Sequence, residues 1–257
     1  QEPSENRMPN FPDSHQEEII ERIGERAETV EERLEDIPRG RTNPSLEELT
    51  IHSAKRYRLG IVFVDINDFS NYMSRNDDED TLFMLNVFIP EIMELVRDFD
   101  GKLEKNTGDG ILAYFGAGED DGDAVETLLE YIATVKWALK YHVNPELEDN
   151  DVETISISTG SAYDTVYISR IGAHSGNQRM NRLTAVSTGA NIASELEAMA
   201  GTDQHYVNDG VYEYSDDENG WGQYVKHVGK HNGYTWGSPL KGHDTAQYYK
   251  FTGVWQE

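Results

Sequence analysis

Gly101-Lys102-Leu103-Glu104-Lys105-Asn106-Thr107-Gly108-Asp109-Gly110-Ile111-Leu112-Ala113-Tyr114-Phe115-Gly116 is the stretch that decides the fold. It reads as two short strands joined by a glycine-rich turn with one aspartate, Asp109, at its tip, because Gly-Asp-Gly supplies the backbone freedom of a tight turn. Upstream, the apolar run Ile61-Val62-Phe63-Val64 has the β-branched content of a buried strand and ends in a second aspartate, Asp65. Either aspartate alone is ordinary turn chemistry. About 40 residues apart with a helix between them, they fall on neighbouring strands. Two carboxylates on strand ends are what a two-metal phosphoryl site needs. Their oxygens suit two divalent cations, Mg²⁺ or Mn²⁺. After Asp65 the turn Asn67-Asp68-Phe69-Ser70 opens a helix, and the backbone N–H groups of such a helix start, at Phe69 and Ser70, attract phosphate.

Outward from these two strands the chain divides into 1–44, an acidic tail with a patterned helix, and 45–257, the main domain. Residues 1–14 carry three prolines and little apolar content, which predicts a disordered tail. From His15 to Ile37, Ile20, Ile23, Ala27, Val30, Leu34 and Ile37 recur at alternating spacings of three and four, a heptad stripe. The stripe serves either a parallel coiled-coil stalk aligning two copies or a helix docked on its own domain. Pro38-Arg39-Gly40 stops it. A short helix and a lead-in are expected over 45–57, a long helix from Asp80 to Phe99 and another from Ala124 to Tyr141. Strands are expected at Thr154–Thr159 and Thr165–Ile171, a polar loop at Ala173–Asn181, a strand at Leu183–Val186 and a helix at Ala190–Ala200. The tail from Tyr206 to Trp255 reads as strand and loop. The order predicts an α+β fold: a ferredoxin-like βαββαβ sheet with helices on one face.

Composition narrows the function. At 257 residues the chain can bury a sizeable core, and its net charge of −26 repels nucleic acid and anionic lipid. Acidic residues are spread along the whole chain and lysine is scarce, as in a surface suited to high salt. A nucleotide ligand would therefore need local cations or bound metal to offset the global field. No apolar run approaches the ~20 residues of a membrane span, and cysteine is absent. A cytoplasmic protein with neither membrane nor nucleic-acid partners is expected. There is no P-loop, dinucleotide fingerprint or nucleophile elbow.

In sum, residues 58–253 resemble the class III nucleotide cyclases, the adenylate and guanylate cyclase family. Phe63-Val64-Asp65-Ile66-Asn67-Asp68-Phe69-Ser70 is similar to the family's first metal motif, in which the aspartate and the next backbone carbonyl, here Ile66, bind metal. Lys105-Asn106-Thr107-Gly108-Asp109 is similar to the second, with Asp109 as ligand and Lys105 at a base-reading position. Thr184, seven residues before Asn191, stands at the other base-reading position. Asn191 matches the asparagine that orients the ribose, and Leu240-Lys241-Gly242 the segment whose lysine holds the triphosphate. The resemblance implies attack of the ribose 3′-hydroxyl on the α-phosphorus with loss of pyrophosphate, at sites shared across a homodimer.

Two positions depart from the pattern. Glu195 stands where the family has an arginine that stabilises transition-state charge, a role worth several kcal/mol. Arg179 and Arg182 are the nearest cations able to replace it. Ser187 stands where a glycine is usual, so the turn before Asn191 is expected to differ. Lys105 with Thr184 looks like an adenylate cyclase. The altered arginine and the lack of a recognisable sensor domain look more like the pyrimidine cyclases of Pycsar anti-phage systems, which make cyclic UMP or cyclic CMP for a separate effector. A nucleotide-binding module without turnover is the rival from another class, and the metal pair argues against it. A diguanylate cyclase is the nearest enzyme rival, but Thr107-Gly108-Asp109-Gly110-Ile111 lacks that family's hairpin.

Overall fold

The protein is described by a computed structural model covering residues 13–44, 48–175, 178–215, 220–230 and 247–255. The heptad helix α1 runs over Asp13–Leu34 and is followed by β1 (Ala54–Ile66), α2 (Phe69–Arg75) and α3 (Asp78–Asp98). The hairpin is β2 (Lys102–Asn106) and β3 (Gly110–Phe115). Then come α4 (Asp121–Ala138), a π-helical turn (Leu139–Val143), α5 (Asn144–Asp149), β4 (Ile157–Ser175), β5 (Gln178–Val186) and α6 (Thr188–Met199). The chain closes with β6 (His205–Asn208), α7 (Asp209–Ser215), β7 (Val225–Lys230) and β8 (Gln247–Phe251). Eight strands form one sheet in the order β2-β3-β1-β4-β6-β8-β7, with β5 paired to β4. The β-α-β-β-α-β core is the expected α+β arrangement.

The helices, however, divide between the two faces. Along β1, Val62, Val64 and Ile66 point into one core with Met84, Phe88 and Ile92 of α3 and Leu128, Tyr131 and Ile132 of α4. Leu59 and Ile61 point the other way, into a second core with Ile192, Ala193 and Leu196 of α6. This follows from strand alternation, because both faces of β1 are apolar and each needs a cover. The expectation of helices on one face therefore holds for α3 and α4, while α6 covers the opposite face.

The sequence also broke β4 in two at Gly160, whereas the structure runs it unbroken and pairs it with the whole of β1. Gly160 is not a turn. A Cβ there would lie 2.0 Å from the Ala193 carbonyl oxygen and 2.1 Å from the Glu197 nitrogen, so the glycine lets α6 lie directly on the strand. Among the described residues of 45–57 there is no helix, 54–57 being the start of β1, and β4 and β5 extend as a hairpin into the expected loop at 173–181. A short helix, α7, lies in the segment expected to be strand and loop. On α1, Ile20 and Ile23 are exposed, so that part of the heptad stripe is not docked on the chain's own domain.

Candidate active site

The two aspartates arrive side by side through the ladder between β1 and β3. Asp65 is paired with Gly110, the residue after Asp109, and the Ile66 N–H donates to the Asp109 carbonyl at 3.1 Å. The turn between β2 and β3 is fixed locally. The Gly108 N–H donates to Asn106 Oδ1 at 2.7 Å, the Thr107 N–H to the Gly110 carbonyl at 2.9 Å, and Gly108 takes φ +107°. Gly110 is needed for a different reason, since a Cβ there would stand 2.7 Å from Asp65 Oδ1. The empty space beside that oxygen is a cradle that any larger residue would fill.

Asp65 also lies opposite Ser158 of β4. The Ser158 hydroxyl donates to Glu197 Oε1 at 2.9 Å and accepts from Asn67 Nδ2 at 3.0 Å. Glu197 thus hangs from α6 near the aspartates, and it was not singled out in the sequence. Burial, then Asp109, then Glu197 push the Asp65 carboxyl up to about 7. Burial also pushes Glu197 up, with Asp109 adding to it and the Ser158 hydrogen bond opposing. Like charges drawn together in a partly dry place are a cost that a bound cation removes. The all-oxygen donors and the space at Gly110 fit a hard divalent ion. Among the described residues no group of three or more His, Asp or Glu side chains is already gathered as a metal cage.

A second cluster lies between β2 and β5. A cavity of about 620 Å³ is lined by Lys105, Glu104 and Tyr114 on one side and by Arg182, Thr184 and Ala185 on the other. The two expected base-reading residues, Lys105 and Thr184, therefore share one cavity although they are 79 positions apart in the chain. Arg182 joins them there. Arg179 pairs with His174 through the β4–β5 ladder; its side chain and all of Lys241 lie outside the described residues.

Asn191 is exposed in the first turn of α6. That end of the helix sits on Asp164, where a Cβ on Gly189 would be 2.6 Å from the Asp164 Cβ. Asp164 pairs with Leu59, six residues back along β1 from Asp65 and so about 20 Å away. Asn191 is thus at the end of α6 that sits on Asp164, while Glu197, nearer the other end, is the residue beside the aspartates. Ser187 is the N-cap of α6: its Oγ accepts from the Gly189 N–H at 3.0 Å and donates to the Thr165 carbonyl at 2.9 Å. Phe69 and Ser70 open α2, the helix that follows Asp65.

The family profile for the adenylate and guanylate cyclase catalytic domain matches residues 51–236. The chain belongs to this family. It is a class III nucleotide cyclase domain. Solved structures bear the fold out. The adenylyl cyclase CyaB from P. aeruginosa is similar with a TM-score of 0.66 and 16% identity, covering 79% of this chain and 98% of that one. The guanylyl cyclase Cya2 gives a TM-score of 0.63 and 19% identity, covering 79% and 95%. Among curated proteins, a putative adenylate cyclase 3 of Rhizobium meliloti is 25% identical over 163 residues, 63% of this chain. A cytidylate cyclase of Staphylococcus aureus is 22% identical over 159 residues, 60% of this chain. The matched part spans only 24% and 37% of those two relatives. Class III cyclases use divalent metal ions. Among the described residues no helix is long and apolar enough to cross a membrane.

Proposed function

We propose that this cyclase domain converts a pyrimidine nucleoside triphosphate, UTP or CTP, to its 3′,5′-cyclic monophosphate and pyrophosphate, at two equivalent sites in a homodimer. The observation that carries the reading is the placement of Asp65 beside the Asp109 turn on adjoining strand ends. Asp65, Asp109 and the Ile66 carbonyl would hold two Mg²⁺ or Mn²⁺ ions. Bound there, such ions lower the pKa of a coordinated hydroxyl and neutralise phosphate charge.

The chain's own residues supply the positioning. Asp65, pushed up to about 7 by its surroundings, would give up its proton as a cation binds. The N–H groups of Phe69 and Ser70 would face the phosphates, and Lys241 would hold their far end. Lys105 and Thr184 would read the base. Asn191 would orient the ribose, with the 3′-oxygen in line with the bond to the leaving pyrophosphate. Because Asn191 lies at the end of α6 away from Glu197 and the aspartates, it would serve the metal pair of a second copy. The exposed Ile20 and Ile23 of α1 support a parallel stalk that brings the two copies together. Replacement of the transition-state arginine falls to Arg179 on this reading, since Arg182 lines the cavity with Lys105 and Thr184.

The pyrimidine preference draws support from the cytidylate cyclase among the relatives and from Glu195 at the arginine position. The product would then signal to a separate effector in the cytoplasm, as in Pycsar defence. ATP is the second reading, favoured by Lys105 and Thr184 together in one cavity. Incubating the full chain with each of ATP, GTP, CTP and UTP plus Mn²⁺, with products identified by mass spectrometry, decides between them. Asp109→Asn should abolish product with the melting curve intact. Nucleotide binding without any cyclic product would instead identify a regulatory module.

A further inference from the structure

The cavity between β2 and β5 contains a carboxylate with no assigned task. Glu104 is the extra residue of a β-bulge: Leu103 pairs with Ala113 and Lys105 with Leu112, leaving Glu104 without a partner on β3. A bulge takes one side chain out of the strand's alternation and re-aims it. Here Glu104 lines the cavity together with Lys105, although strict alternation would send neighbouring side chains to opposite faces. Its carboxylate accepts the backbone N–H of Ala185 on β5, so it reaches from one wall to the other. Burial pushes its pKa up, while Lys105, the Ala185 N–H and Arg182 hold it down.

A structural tether between β2 and β5 would account for the Ala185 hydrogen bond alone. It does not account for the two cations. Lys105 from β2 and Arg182 from β5 both lie in the field of Glu104, yet among the described residues neither closes an ion pair with it. Both are exposed, so their charged ends can reach a ligand in the cavity. The cavity therefore offers an acceptor and a donor from β2, with a second donor from β5.

The pairing edges of the four bases differ in this order. Uracil presents carbonyl, N–H, carbonyl. Cytosine presents amino, ring nitrogen, carbonyl; guanine presents carbonyl, N–H, amino; adenine presents amino then ring nitrogen. A donor–acceptor–donor set satisfies uracil at all three places and leaves a mismatch with each of the others, and buried mismatches are what discriminate. Building on the cyclase reading above, we propose that Glu104 is a specificity-determining residue and that uridine triphosphate is the substrate. The Glu104 carboxylate accepts the uracil N3–H, and Lys105 and Arg182 donate to the flanking carbonyls.

The test separates base choice from turnover. The chain is titrated calorimetrically with the 3′-deoxy forms of UTP, CTP, ATP and GTP in Mn²⁺, none of which can cyclise. The ordinary triphosphates are assayed for product in parallel. The wild type should bind 3′-deoxy-UTP about tenfold or more tightly than the other three. Glu104→Gln keeps an acceptor for the Ala185 N–H but turns an amide N–H₂ toward the N3–H. It should lose about tenfold or more for the uridine ligand and flatten the preference, with an unchanged circular dichroism spectrum. Arg182→Gln should flatten it independently. Tightest binding of another base, or a uracil preference unchanged in Glu104→Gln, overturns the proposal. Uracil-selective binding without cyclic product would uphold the base assignment and refute the cyclase reading instead.

Discussion

Gly110→Ala tests whether the close fit of β1 and β3 is what sets the aspartate pair. The added Cβ would sit 2.2 Å from the Val64 carbonyl oxygen, 2.7 Å from Asp65 Oδ1 and 3.1 Å from the Asp65 Cα, whereas ordinary contacts begin at 3.4 Å. Two of these atoms are backbone of a central strand, and no rotamer change relieves them. The strands must part by about an ångström, which belongs at the upper end of overpacking costs, about 3 kcal/mol. In a chain of this size each kcal/mol is about 2–4 °C, so the melting temperature should fall by roughly 6–12 °C. The same displacement moves Asp65 relative to Asp109, and an ångström of misplacement costs about 100-fold in turnover. Gly229→Ala is the control, because its nearest neighbour would be 4.0 Å away, and it should behave like the wild type. Thermal melts by circular dichroism and Mn²⁺-dependent product formation supply the two readouts. If Gly110→Ala melts with the wild type and turns over normally, the close-fit argument is wrong.

Four further outcomes are expected. Asp65 is held up to about 7, against an ordinary value of 3.8, by burial, Asp109 and Glu197. The folded metal-free chain therefore keeps a proton that the unfolded chain has lost, so this group's contribution to stability falls as pH rises from about 4 to about 7 and is flat above. Urea midpoints of the metal-free wild type minus those of Asp65→Asn should be more favourable at pH 5 than at pH 8, and equal differences would sink the assignment. Mn²⁺ affinity should weaken about tenfold per pH unit below 7, measured by calorimetry. Ser187→Ala removes the N-cap of α6 and its tie to Thr165, and should cost about 1 kcal/mol in chemical denaturation with the fold kept. Replacing Ile20 and Ile23 by Asp should shift the chain toward monomer in sedimentation and reduce turnover together; an unchanged dimer would remove the stalk.

The sequence by itself determined the family and the parts nearest the chemistry. Alternating and β-branched runs are local signals, and Asp65 and Asp109 each sit at the end of such a run, so their strands and their neighbourhood were legible. The heptad stripe of α1 was equally local. Tertiary structure decided what depends on contacts between distant segments. Gly160 looked like a strand break because a glycine's missing side chain has the same appearance in a turn and under a helix; only the packing of α6 tells the two apart. Glu197 lies two turns beyond Asn191 and reaches the aspartates because α6 runs along β1, a direction that no spacing encodes. Ser187 looked like a lost glycine and is a helix cap. Glu104 shows this most clearly. Strict alternation would turn it away from Lys105, and the bulge that brings the two into one cavity exists only once β2 is paired with β3.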